Sequence, residues 1–99
     1  MNARLLAVAA VLGLAAIALA PAVAAEAPPG APSCSGCHAT NAGVDTAVPR
    51  LAGRNAGELT AQMQAFRSGE RQATVMDKIA KGFSDAEVQA IAAWYAAQR

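Results

Sequence analysis

The chain has 99 residues, 55% of them hydrophobic, with eight cations against seven acids and one histidine. Near-neutral charge gives no footprint for nucleic-acid binding. The length leaves room for one folded domain.

The N-terminal stretch carries one cation, Arg4, and then runs from Leu5 to Ala20 without charge, interrupted only by Gly13. This is the layout of a secretory signal. Pro21 ends the run, and Val23-Ala24-Ala25 offers the small residues that signal peptidase requires. Residues 1–25 are therefore expected to be a signal peptide cut before Glu26, with a cut after Ala24 as the neighbouring option. The rival is an uncleaved membrane anchor, disfavoured because the run is short of the ~20 residues a span needs and is mostly alanine. Removing the segment with Arg4 leaves seven cations and seven acids. The mature chain is expected in the periplasm, without stable membrane insertion.

Residues 26–32 (EAPPGAP) are rich in Pro and Gly and read as a short extended leader. About 67 residues follow, 33–99, and they form the expected domain. At that size a hydrophobic core alone is marginal, so a disulfide, metal or cofactor is anticipated. A cofactor with a large apolar face would supply buried surface that so short a chain lacks.

Four helical pieces are legible, with no sustained strand-like alternation, so the fold class is all-α. The first is a short helix around Ser33 to Ala39. Thr40 to Arg54 has two Gly, one Pro and no period, and reads as a loop wrapped around something, since long loops in compact domains are usually functional. Asn55 and Glu58 have capping-box spacing ahead of Leu59, Met63 and Phe66 on one face, with Gly69 as the stop, which predicts a helix over Ala56 to Ser68. Thr74 is placed to cap a helix over Val75 to Lys81, closed by a left-handed Gly82 with Phe83 packing back. Ser84 and Glu87 form a second capping box, and Val88, Ile91, Ala92 and Tyr95 recur at helical spacing in a helix from Asp85 nearly to Gln98. Trp94 and Tyr95 are expected to pack this helix against the first.

The first helix holds Cys34-Ser35-Gly36-Cys37-His38, the pattern of c-type haem attachment. Two thiols about one helical turn apart can both reach the edge of one porphyrin and bond covalently to its vinyl groups. The adjacent His38 imidazole then serves as proximal iron ligand. One motif implies one haem c per chain. Thiol oxidoreductases and zinc sites also use Cys-x-x-Cys. The first needs an α/β setting that this chain lacks; the second needs four ligands where two Cys and the sole His give three. A structural disulfide is the remaining rival, although so short a loop would stabilise little.

With His38 the only histidine, the opposite axial position falls to a thioether. Met63 shares a helical face with Leu59 and Phe66 and reads as core filler. Met76 follows the polar stretch Gly69 to Thr74 and opens a short helix, so it is assigned as the distal ligand; an open position, as in a gas-binding sensor haem, is the alternative. Pro49 or its loop neighbour Leu51 offers a backbone carbonyl that would fix the His38 ring. For Pro49 the plainer reading is that it stiffens the loop. Leu51, Phe66, Ile79, Phe83 and Ile91 serve as either pocket walls or ordinary core. Arg50, Arg54, Arg71, Lys78 and Lys81 are candidates for a ring around a docking face, with solvated surface charge as the alternative.

The motif, the lone Met before a capped C-terminal helix and the helical pattern together resemble a class I cytochrome c. Pro49-Arg50-Leu51-Ala52-Gly53, Phe66-Arg67-Ser68-Gly69-Glu70-Arg71 and the run from Thr74 to Asp85 are similar to the cytochrome subunit of flavocytochrome c sulfide dehydrogenase. This resemblance implies about four helices wrapped round one covalently bound haem, with Met76 at the family's distal position. It also implies an FAD-containing sulfide dehydrogenase subunit as electron donor and another periplasmic cytochrome or an oxidase-side acceptor beyond. The chain itself would have no catalytic residue, serving at most as a subunit of a sulfide-cytochrome c reductase. A free soluble shuttle between respiratory or photosynthetic complexes is the alternative.

Overall fold

A computed structural model describes residues 26–44 and 46–99; the expected signal segment, 1–25, lies outside the described residues. The described chain is helical, with α1 at Ala31–Cys34, α2 at Ala56–Ser68, α3 at Met76–Ala80 and α4 at Asp85–Ala96, and it contains no strand. The all-α expectation holds.

Helix α1 starts earlier and ends sooner than the expected Ser33 to Ala39. Pro32 belongs in a first helical turn, where its missing N–H costs nothing. Gly30 precedes it in the left-handed region at φ 89°. A side chain at Gly30 would meet the Phe83 ring, since a Cβ built there lies 2.5 Å from it. Beyond Cys34 the chain continues in turns, ending with the His38 N–H on the Cys34 carbonyl at 2.8 Å. The packed region also reaches into the expected leader: Ala31 is fully buried and Ala27 packs against the core.

Helix α2 has the expected bounds. Asn55 accepts the Glu58 N–H at 3.0 Å, and Gly69 stops the helix at φ 83°. The capping box is half made, because the Glu58 carboxylate turns to Arg54 at 2.6 Å and Gln62 at 3.1 Å. At α4 the box is complete: Ser84 Oγ accepts the Glu87 N–H at 3.2 Å, and Glu87 accepts the Ser84 N–H at 3.0 Å. The helix ends at Ala96, two residues short of Gln98.

Helix α3 corrects two expectations. Its N-cap is Val75, with no side-chain cap, so Thr74 does not cap it. Gly82 is not among the positive-φ glycines. The chain instead leaves α3 through tight turns, with Gly82 N–H on Ile79 O at 3.0 Å and Phe83 N–H on Ala80 O at 3.5 Å. The cause is tertiary. Phe83 is held over Gly30, and Arg67 of α2 donates to the Phe83 carbonyl at 2.5 Å, to Asp85 at 2.5 Å and to Ala80 O at 3.4 Å.

The main core cluster joins Ala31, Leu59, Ile91, Ala92 and Tyr95, with Leu51, Phe83 and Trp94 packed on it. Helix α4 packs on α1 and α2, whereas α3 packs on α2 alone. Among the described residues no helix is long and apolar enough to cross a membrane.

Candidate functional site

The Cys34–His38 segment is fixed to α4 by a buried tyrosine. The Tyr95 hydroxyl donates to Ala31 O at 2.5 Å and accepts from Ser35 Oγ at 2.8 Å, between the two cysteines in sequence. Tyr95 is 1% exposed, so these partners replace water it cannot reach. Its backbone carbonyl also takes the Gly53 N–H at 2.9 Å, tying the end of the 40–54 loop to the same helix. The expected packing of α4 on α1 is thus made chiefly through Tyr95. Trp94 lies at the core margin.

Both thiols are free, Cys34 half-buried and Cys37 exposed. Burial pushes the Cys34 thiol above its ordinary value, and its hydrogen bond with Tyr95 offsets this only in part. Burial likewise raises the Tyr95 phenol. Among the described residues no three His, Cys, Asp or Glu side chains gather as a metal site.

His38 Nδ1 lies 2.6 Å from the Pro49 carbonyl oxygen. A carbonyl can only accept, so Nδ1 carries the proton, and in the neutral ring Nε2 keeps the free lone pair. A metal-binding histidine uses this arrangement, in which the second nitrogen is anchored so that the first is aimed. Of the two readings of Pro49, the one that fixes the ring has its geometry here.

Met76 is the first residue of α3 and is half-buried, as is Met63 within α2, so burial alone does not separate them. Nor does helix packing, since neither α2 nor α3 packs on α1 and both methionines stand on elements apart from the Cys34–His38 segment. What sets Met76 apart is the uncovered apolar surface beside it on α3, where Val75 is 53% exposed and Ile79 38%; on the 40–54 loop Val44 and Val48 are exposed as well. Among the expected walls, Ile91 is core, Leu51 and Phe83 pack against it, and Phe66 lies under the Arg71 guanidinium at 4.9 Å. Only Ile79 is left open.

These residues fit a haem. Two free thiols precede an imidazole whose Nδ1 is anchored, a thioether stands on a separate helix, and apolar side chains of the 40–54 loop and α3 are left exposed. The charged ring expected around it is only partly free, because Arg54 pairs with Glu58 and Arg71 covers Phe66. Periodicity did not reveal the Tyr95–Ser35 contact or the Arg67 bracket, because both join residues far apart in sequence.

No family model matches the chain. It is 36% identical over 70 residues to cytochrome c-554(548) of Halomonas halodenitrificans, covering 67% of this chain and 84% of that one. It is 32% identical over 63 residues to the cytochrome subunit of sulfide dehydrogenase of Chlorobaculum tepidum, covering 64% of this chain and 57% of the relative. It is 45% identical over 67 residues to the thiosulfate dehydrogenase electron acceptor of Stutzerimonas stutzeri, covering 66% of this chain. The chain spans 57% and 31% of the last two relatives' lengths.

Proposed function

The chain belongs to the class I c-type cytochromes, electron-transfer proteins with a haem cofactor, and from that premise we propose that it is a periplasmic single-haem carrier taking electrons one at a time from a flavoprotein that oxidises sulfide. Residues 1–25 are its signal peptide, and the haem domain of 33–99 also takes in Ala31 and Pro32 of α1 and the core contact of Ala27 from the leader. Cys34 and Cys37 would hold the haem by thioether bonds, His38 would bind its iron through Nε2, and Met76 through its sulfur. When bound, the haem supplies a one-electron iron couple whose potential is raised by thioether ligation and burial.

The chain's own residues do the positioning. Pro49 orients the His38 ring, Tyr95 pins the attachment segment to α4, and Arg67 fastens the end of α3, and so the Met76 helix, to α2. With His38 and Met76 both committed to the iron, no position on it would be left for substrate. This chain therefore moves electrons and makes no bonds.

The observation that carries the reading is the His38 Nδ1 to Pro49 O contact at 2.6 Å, which in the neutral ring leaves the lone pair on Nε2, in a segment that also carries two free thiols. The test is expression with the c-type maturation machinery. Denatured protein should keep one haem mass, and the ferrous absorption band should be that of two thioethers. A haem that extracts into acid acetone would overturn it.

The FAD-containing sulfide dehydrogenase subunit is favoured as donor by the 32% identical relative named as a cytochrome subunit of that enzyme. A free shuttle is the second reading, favoured by the 45% identical relative named as an electron acceptor of thiosulfate dehydrogenase. In either case a periplasmic cytochrome or oxidase-side acceptor takes the electron onward. Co-purification with a flavin-containing chain, and reduction by sulfide only in its presence, identify the first. A lone monomer reduced by thiosulfate dehydrogenase identifies the second.

A further inference from the structure

Between the two cysteines, Ser35 is half-buried, and its Oγ lies 2.8 Å from the Tyr95 hydroxyl. Tyr95 has one hydroxyl proton and gives it to Ala31 O, so Ser35 is the donor in this pair. From Cys34 onward the segment is otherwise held by its own short turns. Gly36 N–H meets Ser33 O at 3.3 Å, and the Cys37 and His38 N–H groups meet Cys34 O at 3.2 and 2.8 Å. Local turns fix the shape of the segment but not its placement over α4. The Ser35 hydroxyl, reaching a residue 60 positions away, fixes that placement from inside the attachment motif.

Tyr95 also carries the other support of the imidazole. Its backbone carbonyl takes the Gly53 N–H at 2.9 Å, and Gly53 lies in the loop whose Pro49 carbonyl holds His38 Nδ1 at 2.6 Å. One buried residue of α4 thus anchors both the turn from which His38 projects and the loop that orients its ring. A ring held at Nδ1 by one segment and at its backbone by another keeps its aim only while those segments keep their relation. Resting on the haem reading of this site, we propose that Ser35 is a positioning residue for the iron ligand: its hydroxyl, donated to Tyr95, sets the rotation of the His38 imidazole over the haem. Tyr95 is the common anchor of turn and loop. Attachment needs only the thiols of Cys34 and Cys37, so loss of the Ser35 hydroxyl leaves the haem bound and turns the ring.

The test uses the haem-loaded protein. In the ferric, low-spin state the pattern of haem-methyl proton shifts follows the orientation of the axial imidazole plane. Ser35→Ala is expected to redistribute those shifts with the haem still covalently bound, and Ser35→Thr, which keeps the hydroxyl, to restore the wild-type pattern. Gln98→Ala removes a hydrogen bond to the Trp94 carbonyl at the same end of α4 and is expected to leave the pattern in place. A Ser35 that merely packs the helix would lower the unfolding midpoint of Ser35→Ala and leave the methyl shifts where they were. That result overturns the proposal without touching the haem reading, and so does an equal redistribution in Gln98→Ala. A wild-type chain that matures with no covalent haem, seen by mass, removes the haem reading and the positioning role with it. If Ser35→Ala does not accumulate, the wild type decides. In its ferrous, diamagnetic state the Ser35 hydroxyl proton is expected to exchange slowly and to show a nuclear Overhauser contact to the Tyr95 ring, and exchange as fast as in free serine overturns the proposal.

Discussion

The two sides of the candidate site are built differently. On the His38 side the chain supplies its own framework: Tyr95 bonds Ala31 and Ser35, Pro49 holds the imidazole, and Gly53 hangs on Tyr95. On the Met76 side the helix has five residues, no side-chain cap and a single helical neighbour, with Val75 and Ile79 exposed. One side is finished by the chain, while the other waits for a partner surface. The difference suggests a division of labour in which the proposed proximal ligand, His38, is preorganised and the proposed distal one, Met76, is set by what it covers.

The largest expected effect follows from withholding haem. A core of this size rarely supplies more than ~3–5 kcal/mol. The haem-free chain should lose much of its helical circular dichroism, with amides of α3 exchanging before those of α4 and the Cys34–His38 turn. Equal protection on the two sides would break the comparison.

Next comes the proposed distal ligand. Met76→Ala should abolish the weak near-infrared band of ferric His/Met haem and lower the potential, whereas Met63→Leu should leave both in place. The reverse pattern would move the ligand to α2.

The brackets of the two sides can then be set against each other. Arg67→Gln removes charge-assisted bonds to the Phe83 carbonyl and Asp85, at a cost of about 2 kcal/mol, and should make the near-infrared band fade at lower temperature. Tyr95→Phe strands the Ala31 carbonyl and costs about 1–3 kcal/mol of unfolding free energy, but should leave the band's thermal fading ahead of global unfolding unaltered. If both variants moved the band alike, the two sides would not be separable.

What could be read from sequence divides along similar lines. Helix α2 was legible to the residue because its signals are local: Asn55 caps it and Gly69 stops it. The Cys34, Cys37 and His38 motif could be read because it lies within five residues, and a Pro49 carbonyl on the His38 ring was one of two readings of that proline. The bounds of α1 and the conformation of Gly82 were not, since Phe83 packing over Gly30 and the Arg67 bracket decide them. Tyr95 pairing with Ser35 spans 60 positions. Short-range chemistry was written in the sequence; long-range hydrogen bonding was not.

The smallest effect lies at the start of α4, where the chain passes from the Met76 side to the Tyr95 side. Glu87 accepts hydrogen bonds from Ser84, first from its backbone N–H, and these hold the carboxyl below its ordinary value of 4.5. The unfolded chain then binds the proton more readily than the folded one. The contribution is therefore complete above that ordinary value and is lost as pH falls through the lower, folded-state one. Glu87→Gln should flatten the acid limb of urea-midpoint against pH while changing little at neutrality. Ser84→Ala should cost about 1 kcal/mol at neutral pH as well, because the cap to the Glu87 N–H goes with it. Because Ser84 follows directly on Phe83, loss of this cap should loosen the Met76 side first, and α3 amides should gain exchange before those near Tyr95. Uniform loosening would instead make α4 a rigid strut serving both sides equally.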